Sequence, residues 1–273
     1  MKKVIYSIFL LLWSIAGFGT GQFGDILIWK GDTLTLLSNP LESHPDFKTL
    51  KLSLFGDRKE DLSTGCWRGY IAEWVIAEGE LYLTNIYSCD YRDNGIKADL
   101  KNLFGNKFSG GKIRASWVTE ELIIPMGKLL FDFNLGYNFI YEKEVGLEFE
   151  NGKLSRQNYY DNSSTHLSKF HENPDLLLST INSLINWESI PNLGSDSITV
   201  YLSVNTGDTR KPHDVHVIRH SEDPLFSSEA VRAVERLDDW DVFYKRGKAL
   251  IRSYSFPVRF SEKNRKSNIR KNP

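Results

Sequence analysis

The sequence predicts an α+β chain, with an all-β sandwich or barrel in its N-terminal half and a smaller mixed domain at its C-terminal end. Three observations carry that expectation. Short apolar or alternating segments, divided by turns bearing Gly and Asp, occupy residues 24–154. Over residues 155–172 the composition shifts to Ser, Asn, Asp and His without a sustained period, as expected of a connector. From residue 173 to 260 the pattern reads helix, strand, strand, helix, strand.

The chain has 273 residues, 41% of them hydrophobic and 25% charged, enough apolar material for two ordinary domains. Its formal net charge of -1 gives no field for gathering nucleic acid. At the N-terminus Lys2 and Lys3 precede the uncharged apolar run Val4 to Gly19, with small residues at Gly17, Gly19 and Gly21. That is the pattern of a secretory signal peptide over residues 1–21, which predicts export to the periplasm or cell envelope. As a helix the run reaches about 24 Å at roughly 1.5 Å per residue, short of a hydrocarbon core of about 30 Å. No later segment is apolar for long enough to span a membrane, so no stable span is expected once the leader is cleaved; an uncleaved leader remains the alternative, as an anchor.

In the β-rich part, strands are expected at Ile26 to Trp29 and Leu34 to Leu37, flanking a Gly31-Asp32 turn. Others are expected at Leu50 to Phe55, Trp67 to Ile76, Leu81 to Tyr87, Lys112 to Val118, Leu129 to Phe133 and Phe139 to Phe149. No strong helix stands between them. The triplets at Gly79, Gly127 and Gly152, each followed by a charged residue and Leu, look like recurrent turn exits. Cys66 and Cys89, the only cysteines, end the two arms of a hairpin turning near Glu78-Gly79, and an exported chain can oxidise them. They are diagonal neighbours across that hairpin, close enough for a disulfide, whose Cα atoms must lie within about 7 Å.

After the connector, Asn173 caps a helix, Pro174 sits where a missing N–H costs nothing, and Asp175 favours the positive helix end. Leu177, Ile181 and Leu184 form its apolar stripe. Ile198, Val200, Leu202 and Val204 alternate with polar residues as a half-buried strand, and Asp214 to His220 follows as a second. Ala230, Val234 and Leu237 face one side of a helix over Glu229 to Leu237. The last strand is read over Ala249 to Phe260. Lys263, Arg265, Lys266, Arg270 and Lys271 then form a basic, disordered tail over residues 261–273.

The stretch Ile198 to Asn205, then Asp214-Val-His-Val-Ile-Arg219, Ser228 to Val234, Trp240, Arg246-Gly-Lys and Tyr254-Ser-Phe-Pro-Val-Arg-Phe260 resembles the TonB C-terminal domain family. The resemblance covers about residues 173 to 260. Two departures stand out: Asp239 and Asp241 flank Trp240 where many members carry prolines, and no long Pro-rich spacer exists to cross a periplasm as an extended rod. The resemblance implies a recognition module whose final strand, at a sheet edge, pairs with a short segment of an envelope or outer-membrane protein. Pro257 independently suits an edge strand. The partner-binding residues expected on it are Arg252, Ser253, Tyr254 and Phe256, with Tyr254 and Phe256 reaching from adjoining faces. The alternatives are an edge covered by other parts of the chain or by a second copy in a homodimer.

Other constellations read as structural. His213, His216 and His220, with Asp214 and Asp223, do not share one strand face, as a closed metal site would need. Glu142 and Glu144 share a strand face, whereas a glycosidase pair stands across a cleft. No nucleophile motif, phosphate loop or dinucleotide fingerprint occurs, so neither an enzyme nor a cofactor is expected. Trp67, Tyr70, Trp74, Tyr82, Tyr87 and Trp117 keep open a second function, a soluble glycan- or peptide-binding β-domain with the C-terminal domain used for structure or self-association.

Overall fold

The computed structural model describes residues 21–56, 63–90 and 95–269. Residues 1–20, which hold all but the last position of the expected leader, and the last four residues, with Arg270 and Lys271, lie outside them. The protein is mixed α+β and rich in sheet. It divides into two compact units, one comprising residues 21–125, 131–139 and 145–158, the other residues 126–130, 140–144 and 159–269.

The first part of the chain forms β1 (Asp25–Trp29), β2 (Asp32–Leu36), α1 (Phe47–Ser53), β3 (Ile71–Ala77), β4 (Glu80–Tyr87), α2 (Leu100–Phe104) and β5 (Ile113–Arg114), then β6 (Glu121–Asp132), β7 (Phe139–Glu150) and β8 (Lys153–Asp161). These strands make one sheet in the order β2-β1-β3-β4-β8-β7-β6, with β5 paired to β4. A closed barrel does not form. Just past the end of β2, the Leu37 N–H donates to the Ile123 carbonyl of β6 (2.8 Å) and the Ile123 N–H to Ser38 Oγ (3.2 Å). Leu27, Leu36, Trp74, Leu81, Leu83, Leu147 and Phe149 fill the core that the sheet encloses.

Hairpin turns follow a common chemistry. Lys30-Gly31, Glu78-Gly79 and Asn151-Gly152 each place both central residues at positive φ, the conformation whose twist matches the flanking strands. The first turn therefore sits one residue earlier than Gly31-Asp32. Gly127 is different, because it lies inside β6 at φ 75° rather than at a turn exit. A Cβ there would come within 2.7 Å of Glu142 Oε2.

The segment expected as a strand at Leu50 to Phe55 is helical, and a helix-free sandwich is thereby corrected. Phe47, Leu50 and Leu54 follow a helical spacing and pack into the core, while Leu52, which a strand would align with Leu50 and Leu54, is 86% exposed. The expected connector begins as strand, since β8 continues to Asp161.

The second unit contains α3 (Pro174–Leu184), β9 (Ser197–Thr206), β10 (Pro212–Arg219), α4 (Pro224–Glu235), β11 (Phe243–Lys245), β12 (Lys248–Leu250), β13 (Arg252–Ser261) and α5 (Glu262–Ile269). Asn173 Oδ1 caps α3 by accepting from the Leu176 N–H (3.0 Å), and Asp223 caps α4 by accepting from the Leu225 N–H (2.9 Å); each cap is followed by Pro at the first helical position. β9 is central, in the order β10-β9-β13. Its Val200, Leu202 and Val204 meet Ile181, Phe226, Ala230, Val234 and Trp240 in the core.

Two expectations fail here. The last strand is broken: β12 pairs with β11 across an Arg246-Gly247 turn, and β13 starts afresh at Arg252. The tail expected to be disordered forms α5, docked by Glu262 accepting from the Leu193 N–H (3.0 Å) and by Arg265 donating to the Ile190 carbonyl (2.8 Å). Among the described residues no helix is long and apolar enough to cross a membrane.

Candidate partner-binding edge

β13 pairs with β9 in unbroken antiparallel register from Arg252↔Thr206 to Ser261↔Ser197, and among the described residues no strand pairs with its other side. β10 is the opposite edge, but two register shifts interrupt it, a device that discourages further pairing. In an antiparallel ladder, alternate residues turn both N–H and C=O away from the partner strand. Two observations put the odd-numbered residues of β13 on the free side. Pro257, which has no N–H to give to β9, is one of them, and the Arg259 carbonyl accepts from Asn264 Nδ2 of α5 (2.8 Å). Ser253 and Ser255 then direct their backbone groups outward, while α5 already occupies the edge at Arg259. Beside Pro257, Val258 and Arg259 lies a groove of about 380 Å³, bounded by Leu178 and Asn182 of α3.

The side chains divide by the same period of two. Ser253 is exposed, and its Oγ donates to Asn205 Oδ1. Arg252 is exposed, its guanidinium 5.8 Å from the Phe243 ring. Tyr254 and Phe256, two residues apart, share one face rather than adjoining faces. Both are half-buried against Trp240, with ring centroids at 5.6 and 6.1 Å. They pack against the core as partly buried residues, and Ser255, Pro257 and Arg259 lie on the exposed face. Trp240 is 3% exposed.

The aspartates flanking Trp240 have a role that spacing could not reveal. Asp239 accepts from His166 Nε2 (2.7 Å) and the Lys169 N–H (3.0 Å), and Asp241 meets the Ser168 N–H (2.8 Å), His171 Nδ1 (2.8 Å) and the Tyr254 hydroxyl (2.9 Å). His166 and Val242 exchange backbone bonds alongside. Residues 166–171, expected as a loose connector, are thus clamped to the segment behind β13. Burial works against the Asp239 carboxylate, but the Lys169 N–H and His166 outweigh it and hold the group below its usual pKa of 3.8. A depressed carboxylate contributes stability above its unfolded pKa and loses it as pH falls through the folded one. The second unit is therefore expected to melt at a lower temperature as pH drops below about 4, with a weaker acid dependence in Asp239→Asn. Calorimetric scans at stepped pH check this.

Cys66 and Cys89 form the expected disulfide, with Cα atoms 5.9 Å apart. It closes the loop that carries Arg68, whose guanidinium is buried against Asp25 (2.7 Å). Asp25 also accepts from the Trp74 indole (2.9 Å) and the Ala72 N–H (3.0 Å), and Arg68 meets Asn39 and the Tyr137 hydroxyl. Burial nevertheless pushes the Asp25 carboxyl up to about 6, against the attraction of Arg68 and these N–H groups. Sequence inspection had no signal for this cluster beyond single polar residues in apolar surroundings.

Among the described residues no group of three or more His, Cys, Asp or Glu is placed to hold a metal. His216 pairs with the exposed Asp214 (3.1 Å). Glu144 is buried and accepts from Asn162 Nδ2 (3.1 Å) and the Arg246 N–H (3.2 Å), organising the β11–β12 turn. Glu142 lies against Gly127 and the Lys128 N–H. Of the aromatics named for a glycan surface, Tyr70 and Trp74 are fully buried, Tyr82, Tyr87 and Trp117 half-buried, and Trp67 exposed. Comparison with protein-family models, with curated proteins and with solved structures finds no match to this chain.

Proposed function

We propose that this chain is an exported, non-enzymatic envelope protein whose second unit, resembling the TonB C-terminal domain, captures an extended segment of another envelope protein along β13. The observation that carries the reading is the regular edge from Ser253 to Pro257, which among the described residues pairs with β9 on one side only. Unpaired backbone groups at Ser253 and Ser255 supply the bonds for an added strand, and exposed Arg252 and Ser255 contribute selection. The missing N–H at Pro257 and the α5 contact at Arg259 end the ladder, so the segment paired is about five residues long.

A photo-crosslinking amino acid at position 255, in cells, tests this. The expected adduct is to a different envelope protein, and Ser253→Pro reduces its yield about tenfold by removing one outward N–H and blocking the edge sterically. The substitution leaves pairing to β9 intact because the lost N–H points away from it. An adduct unaffected by Ser253→Pro contradicts strand addition, and an adduct of twice the chain mass assigns the edge to self-association instead.

A further inference from the structure

Three large apolar side chains of the first unit stand in solvent close to one another in the fold: Phe23 is 55% exposed, Trp67 72% and Leu135 68%. Specific bonds bring them together. The Phe23 N–H donates to the Gly65 carbonyl (2.7 Å), the Gln22 N–H to the Gly136 carbonyl (3.0 Å), and the Trp67 N–H to Gln22 Oε1 (3.3 Å). The Phe23 ring lies where a Cβ on Gly65 would be 3.1 Å from it, and the Tyr137 hydroxyl donates to the Phe23 carbonyl (2.9 Å). Trp67 follows the disulfide-bonded Cys66, so its loop is tethered at the base.

We infer that this corner rests on the surface of a phospholipid bilayer, with Phe23, Trp67 and Leu135 inserted at the interface. Two features select lipid over other occupants. The three segments that build the corner, residues 21–23, 63–67 and 134–137, contain no charged residue, and the Asp132 carboxylate that flanks the third is already held by the Asn134 N–H (2.6 Å). The apolar run Val4 to Gly19 ends two residues before Gly21, so the corner stands where the chain leaves a segment read as a membrane-directed leader. Trp and Phe are the residues that favour the headgroup boundary, and binding there scales with buried apolar area. The inference rests on reading the first twenty residues as a membrane-directed leader and makes no use of β13.

The thirteen strands among the described residues and both apolar cores lie within residues 21–269, so the chain beginning at Gly21 serves as the test protein. It is mixed with phosphatidylcholine vesicles, some carrying brominated acyl chains, and bound protein is measured by sedimentation. The expected result is binding that high salt does not reverse, with tryptophan quenching by the brominated lipid. Trp67→Ser combined with Leu135→Ser, both at exposed positions, should lower the partition coefficient at least about tenfold and remove most of the quenching. Ser253→Pro should bind vesicles as the unchanged chain does, which separates this inference from strand capture. Unaltered partitioning of the double variant overturns it, as does failure of the unchanged chain to bind at millimolar lipid. A vesicle-independent dimer that the double variant abolishes would assign the corner to a second copy and likewise overturn it.

Discussion

Replacing Arg68 by Met is expected to destabilise the first unit by about 3–5 kcal/mol at neutral pH, since it strands a buried carboxylate. Asp25 and Arg68 have side chains 0% and 7% exposed and meet at 2.7 Å. Met fills much the same volume, so the loss is electrostatic rather than a cavity effect. The pH dependence identifies it. In the unchanged protein the Asp25 carboxyl lies at about 6, above its unfolded value of 3.8. A raised carboxyl holds its proton more tightly in the folded state, so its contribution to stability is greatest below 3.8 and declines as pH rises toward 6. Without the guanidinium the folded value climbs further and the decline extends to higher pH. The destabilisation by Arg68→Met should therefore shrink to about 1–2 kcal/mol near pH 4, where only hydrogen bonds to a neutral carboxyl are lost. Urea unfolding at pH 7 and pH 4 reads both values. Equal losses at the two would show that Asp25 is not the group responsible.

Reduction of Cys66–Cys89 is the second large effect. The bridge spans 23 residues, and in the chain-entropy account closing a loop of that length is worth about 3 kcal/mol. Cys66 stands two residues from Arg68 and next to Gly65, whose carbonyl accepts from the Phe23 N–H, so loosening at the bridge reaches the ion pair. Cys66→Ser with Cys89→Ser should accordingly lower the unfolding free energy of the first unit by about 2–4 kcal/mol. In combination with Arg68→Met the losses should fall short of additivity by about 1 kcal/mol, because a loosened loop no longer holds the guanidinium against Asp25. Strict additivity would separate the bridge from the pair. The second unit contains neither cysteine, and its transition should not move.

Much of the second unit was legible because its determinants are local. Alternation at Ile198 to Asn205 marks β9, and the Asn173-Pro174 pair marks the start of α3. Hairpins of the first unit were legible for the same reason, since a two-residue turn needs residues that accept positive φ. The disulfide followed from such a hairpin, with Cys66 and Cys89 at its two arms.

The misreadings share one cause. Leu50 to Phe55 satisfies a period of two on paper, and the preceding Phe47, together with the face the core accepts, makes it helical. Tyr254 and Phe256 are polar-tipped or aromatic enough to suggest contacts, yet the strand's parity turns both toward Trp240. Residues 166–171 have the composition of a loop, and two aspartates some seventy positions later immobilise them. The sequence by itself determined the caps, the turns, the alternation of the strands and the pairing of two cysteines, because each depends on neighbours within a few residues or on a single hairpin. Only the tertiary structure decided which edge of the small sheet is regular, which face of β13 meets solvent, and that Asp25, Arg68 and Tyr137 converge. Those outcomes depend on register and on burial, which couple positions far apart in the chain and leave no local period to read.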